Sequence, residues 1–174
     1  SSGLENLSEW EDAHQEIKDA AKAAKDAADS VEGLHNYIDG AFADGIIDEA
    51  EAKAIEKYIN TVNNTKQAIE ATYNKLYTNV YLSGSAKISL LNAKVTLMGS
   101  IENLINAINT VIADGQAGAL RQRGVEQAAG QADAGLCHAL SQIHGVHAGG
   151  LHILRILQGR QIRCKLADAV QARS

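Results

Sequence analysis

The chain has 174 residues, no proline and a formal net charge of -5. Residues 1–115 hold eighteen Asp and Glu against nine Lys, and an acidic first part argues against nucleic acid as its main partner, because phosphate binding needs basic side chains. The lack of proline fits long helices better than a β-sandwich. No run of about eighteen apolar residues offers a membrane span and no charged-then-apolar leader opens the chain, so neither a membrane protein nor a secretory leader is expected. The opening Ser1-Ser2-Gly3, without Met, reads as a cloning remnant or an excerpt of a longer protein.

The first segment, Leu4 to about Ile38, sets Leu7, Trp10, His14, Ile17, Ala21, Ala24, Ala28 and Val31 in a heptad. That repeat belongs to a helix lying along another helix. Its alanine-rich middle favours helix but buries little area, so its core contribution is expected to be small. His14 and His35 fall on or near this stripe and read as interfacial or solvated, with no second ligand beside either at helical spacing.

Asp44-Gly45-Ile46-Ile47-Asp48-Glu49-Ala50-Glu51 matches the second half of a calcium-binding EF-hand loop. The first half fails, because Gly40 and Phe42 stand where side-chain oxygens are needed and Asp39 is one residue out of register. Too few oxygens remain for calcium, so the reading is a turn followed by a capped helix. Asp48 is placed to be N-cap, with Glu51 completing a capping box.

From Asp48 to Leu82, Ile55, Ile59, Val62, Lys66, Ile69, Tyr73, Leu76 and Val80 follow steps of four and three, with Lys66 the only polar member. A long helix is predicted over about 48–82, ending at Ser83-Gly84-Ser85. A second follows over about 86–113, its seam formed by Leu91, Lys94, Met98, Ile101, Ile105, Ile108 and Ile112. Leu90, Leu97, Leu104 and Val111 run alongside, so this face should meet more than one neighbour. The short break predicts an antiparallel hairpin in which Ile59, Val62, Ile69 and Leu76 face Leu91, Met98, Ile101, Ile105 and Ile108. Gly115 suits the left-handed residue that closes the second helix. Asp114-Gly115 repeats Asp44-Gly45, either as a weak internal repeat or as two helix-end turns of one kind.

Composition changes at Asp114-Gly115. All seven aromatic residues and nine of the ten lysines precede it, whereas all six arginines and both cysteines follow it. Residues 1–115 therefore read as a helical structural module, and residues 116–174 as a distinct tail, from a shifted reading frame or a fused segment. Eight glycines interrupt the tail, each costing a helix about 1 kcal/mol relative to alanine. It is expected to be irregular or weakly helical, with short helices at about 136–148 and 151–170 at most. Lacking capped, periodic faces, it should cost little stability when removed. Cys137 and Cys164 read as unpaired thiols. Cys137, His144 and His147 are weak candidates for a transition-metal site, since Gly145 interrupts their helix and the spacing matches no standard pattern.

Residues 37–115 resemble a helical segment of phage minor structural proteins, the tail-tip and tail-fibre type encoded by prophages of gut bacteria. The resemblance rests on Ala43-Asp44-Gly45-Ile46-Ile47-Asp48, Glu51-Ala52-Lys53, Ile55 and Tyr58-Ile59. It continues through Tyr73, Leu76-Tyr77, Asn79, Tyr81-Leu82, Gly84, Ala86-Lys87, Leu90, Leu104, Ile108 and Asp114-Gly115. These are packing and turn residues, so the resemblance implies a kind of protein and no chemistry. It stops at Gln116-Ala117-Gly118-Ala119-Leu120, where the family typically starts another capped helix.

The expected fold is all-α, an elongated helical hairpin or bundle with heptad-like seams. No phosphate loop, nucleophile elbow, His-Glu metal motif or paired buried carboxylates occur, so neither an enzyme nor a cofactor is expected. The expected role is a structural module of a phage tail or tail fibre, in the virion or in the bacterial cytoplasm before assembly. It would contact other structural proteins or copies of itself through apolar helix faces. A helical adaptor unconnected with phage and a metal-binding tail are the alternatives.

Overall fold

In the computed structural model, residues 2–146 are described, together with residues 160, 164 and 165, and side chains are described from residue 14 onward. Leu7, Trp10 and the helix expected over 151–170 lie largely outside the described part. The chain forms four helices, α1 (Ser2–Ala41), α2 (Glu49–Tyr77), α3 (Gly84–Asp114) and α4 (Ala119–Val146). The fold is all-α.

The expected alanine stripe of α1 is deeply used. Ala21, Ala24, Ala28 and Val31 are buried as the heptad requires, and Ala20, Ala23, Ala27, Leu34 and Ile38 are buried beside them. Two adjacent buried rows let α1 pack on two neighbours, α2 and α4. Each alanine buries little area, but its small side chain lets the neighbouring backbone come close. The outer face is laced by Lys22–Asp26 and Lys25–Asp29 pairs, both 2.7 Å and one helical turn apart, which solvent screens strongly.

In α2 the seam residues Ile55, Ile59, Val62, Ile69, Tyr73 and Leu76 are buried. The helix stops at Tyr77, five residues short of the expected end. Asn79 causes this: it is buried, its Oδ1 accepts from the Tyr81 amide at 2.9 Å and its Nδ2 donates to Glu16 at 3.2 Å. This local turn competes with helix propagation and throws Val80, predicted in the seam, out to 80% exposure. Lys66 keeps its place in the stripe by reaching Glu102 of α3 at 2.7 Å.

The wide face of α3 does meet two neighbours. Leu90, Leu97, Leu104 and Val111 are all buried with Ile101, Ile105 and Ile108, whereas Leu91, Met98 and Ile112 are half-buried. Lys94 is also buried, and its ammonium reaches Glu70 at 2.8 Å and the Asn74 side-chain carbonyl at 3.1 Å. That ammonium holds the Glu70 carboxyl below its usual range. The α2–α3 contact is therefore partly ionic, and it is less extensive than expected. The chief packing partners are α1 with α2 and α3 with α4, so the seam of α2 is closed mainly by α1 rather than by α3.

The largest difference lies in α4. A single 28-residue helix runs from Ala119 where an irregular stretch with short helices was expected. Val125, Ala129, Ala132, Leu136, Ala139 and Ile143 are all buried, in four-three steps that the alanines made inconspicuous. Tertiary burial outweighs the glycine cost. Gly135 even serves packing: a Cβ there would lie 3.0 Å from Ser100 Oγ and 3.4 Å from Leu97 Cα, so α3 and α4 approach backbone to side chain.

Cross-helix partners show the helix directions. Between α1 and α2 the pairs are Ser30–Thr65 and Tyr37–Tyr58; between α1 and α4 they are Phe42–Gln122 and His35–Glu126. As one number rises the other falls, so neighbours are antiparallel, as in an up-and-down four-helix bundle. The two halves also repeat. A shift of 70 residues carries Gly45 onto Gly115. It also carries Leu34 and Ile38 onto Leu104 and Ile108, and Ile55, Ile59, Val62, Ile69 and Tyr73 onto Val125, Ala129, Ala132, Ala139 and Ile143, all buried. The recurring Asp-Gly pair thus marks an internal repeat of two helical hairpins.

Ile69→Ala and Ile101→Ala, each at a fully buried position, should lower unfolding free energy by about 2–4 kcal/mol in urea melts. A chain ending at Gly115 removes α4 and uncovers the α3 row from Leu90 to Val111. It should lose the cooperative thermal transition of the full chain, in contrast to the expectation from sequence; an unchanged transition would show that α4 adds nothing to the core.

Candidate functional site

The two Asp-Gly turns meet at one end of the bundle. Gly45 and Gly115 adopt φ of 76° and 68°, left-handed conformations open to glycine at little cost. Between them Ile46 and Gln116 form an antiparallel bridge; the Ile47 amide donates to the Gly115 carbonyl at 3.0 Å and the Ala117 amide to the Gly45 carbonyl at 2.8 Å. The acidic groups of the first turn are occupied with backbone. Asp44 accepts from the Ile46 amide at 3.0 Å, and Asp48 and Glu51 form the expected capping box, at 2.7 and 3.1 Å. Those contacts are what a turn and a cap require of these carboxylates.

Gln122 extends this junction. Its amide donates to the carbonyls of Phe42, at 2.9 Å, and Ala117, which ties the first turn of α4 to the end of α1. One turn further along α4, Glu126 comes opposite His35. The His35 Nε2 lies 2.8 and 2.9 Å from the two Glu126 oxygens, and Asp39, one turn along α1, places Oδ1 3.5 Å from the same nitrogen. Ligand atoms of all three side chains lie within 4.8 Å of one another. Burial, then hydrogen bonding to Asp39, raises the Glu126 carboxyl above its usual range against the opposing pull of His35. Among the described residues, no lysine or arginine pairs with Asp39 or Glu126. The histidine read as lacking a second ligand at helical spacing thus has Asp39 four residues on, a spacing visible in the sequence. Glu126, 91 residues away, was not visible from any local pattern.

The weak candidates of the tail are not brought together. Cys137 is bonded to Cys164, with Cα atoms 5.5 Å apart, so the two cysteines are a disulfide rather than free thiols and Cys137 offers no thiolate. His144 is half-buried, with no hydrogen-bond partner for Nδ1 among the described residues, and His147 lies outside them. Arg160, four residues before Cys164, contacts α1, reaching Asp29 at 2.9 Å and Glu32 and the Ala28 carbonyl at 3.4 Å.

Gln122→Ala removes both hydrogen bonds at the junction and should destabilise the fold by about 1–2 kcal/mol. Hydrogen exchange should quicken at the Ile47 and Ala117 amides before it changes in the middle of the helices. Uniform quickening along the chain would mean that Gln122 does not hold the turns together. No family model, curated protein or solved structure matches the chain.

Proposed function

We propose that the chain is a non-enzymatic structural module of a phage tail or tail fibre, which binds other structural proteins or its own copies through apolar side chains. The observation that carries this reading is a group of exposed apolar residues at the α2–α3 end. Tyr77, Val80, Tyr81 and Ile88 are 52%, 80%, 44% and 57% exposed within a stretch of twelve residues. Large apolar side chains crowded at one end of a bundle are an unfavourable surface for an isolated molecule and a favourable one for a contact. The sequence resemblance over residues 37–115 adds the phage context, and it includes Tyr77 and Tyr81. No helix of the described residues is long and apolar enough to cross a membrane, and the proposed contact is with protein.

Sedimentation velocity over a concentration series, alone and with the tail proteins encoded beside this gene, tests the reading. The expected result is association that Val80→Asp weakens while the helical circular dichroism stays unchanged. A chain that stays monomeric and binds none of those proteins overturns it. Association with proteins of a non-phage gene neighbourhood would favour the adaptor alternative.

A further inference from the structure

We propose that His35, Asp39 and Glu126 form a binding site for a divalent transition metal of the zinc class, distinct from the apolar end of the bundle. Three features of the cluster carry this. First, the donors converge: Nε2 of His35 faces both Glu126 oxygens and one Asp39 oxygen, all within 4.8 Å. Two donors four residues apart on one helix with a third from a facing helix is a placement that zinc sites on helices use. One imidazole and two carboxylates is also a donor set that suits zinc rather than calcium, which takes oxygens alone.

Second, the cluster is unbalanced without a cation. Two carboxylates face each other and the same imidazole, and among the described residues neither carboxylate forms an ion pair with a lysine or arginine. A divalent ion supplies the missing positive charge at the point where the donors converge. Asp39 and Glu126 are about half exposed, which leaves room for water to complete the coordination.

Third, packing does not require these residues. The repeat relates His35 to Ile105, Asp39 to Asn109 and Glu126 to Glu56, so the equivalent place in the other half has an isoleucine in the core and no second acid. An imidazole, mostly buried, stands where an apolar side chain serves the same packing. The backbone holds the donors in register, since Gln122 fixes α4 on the end of α1 one turn before Glu126.

The test is calorimetric titration of the full, disulfide-intact chain with zinc chloride after chelator treatment, paired with thermal melts. One zinc per chain at micromolar concentration, with a rise in melting temperature, is expected. His35→Ala, Asp39→Asn and Glu126→Gln should each weaken this binding about ten-fold or more, whereas His144→Ala should leave it unchanged. The Asp39 and Glu126 variants keep side-chain size at half-exposed positions, so their metal-free melts should match the parent and separate lost binding from lost folding. Zinc binding that persists in these variants, depends on His144, or is absent at micromolar ion overturns the proposal.

Discussion

The arrangement depends on the junction of the two glycine turns. A helical hairpin alone buries one side of each helix, and two hairpins can dock in many registers because apolar faces slide over one another at little cost. The backbone hydrogen bonds from Ile47 to Gly115 and from Ala117 to Gly45 remove that freedom. They flank the Ile46–Gln116 bridge, whose two residues are seventy positions apart in the chain, and both require a left-handed glycine just before the bridge. Once they form, α1 ends beside the start of α4, and Gln122 can reach the Phe42 carbonyl. The meeting of His35 with Glu126 follows from that register.

The core then closes by shape more than by bulk. The alanines of α1 and α4 bury little area each, but they let the helices come near enough for Leu34, Leu97, Leu136 and Leu140 to be fully enclosed. Gly135 does the same against α3, where a Cβ would crowd Ser100. A core built on close approach is sensitive to added volume as well as to lost volume. The α2–α3 contact is of another kind. Lys66 and Lys94 lie at seam positions with aliphatic stems packed inside and ammonium groups reaching Glu102 and Glu70, so that contact is set by charge as well as by burial.

Two residues beyond α4 are held by different means again. The Cys137–Cys164 disulfide ties Cys164 to α4, and Arg160 is tied to α1 through two carboxylates and a carbonyl. Neither contact draws on an apolar face, which is why the hydrophobic pattern of the sequence held no sign of them.

The sequence by itself determined the helical class, the seam of α2, the caps at Asp48 and Gly115 and the turn chemistry of both Asp-Gly pairs. These depend on interactions within four residues of chain, where residue type and spacing carry the information. It also contained, unrecognised, the seam of α4 and the His35–Asp39 pair, because alanine rows resemble bland helix formers and a lone spacing of four is common. Tertiary structure alone decided which helices are chief partners, the pairing of the cysteines and the approach of Glu126 to His35. Those outcomes join residues far apart in the chain, and many pairings satisfy the same local pattern until packing and the turn bridge select one.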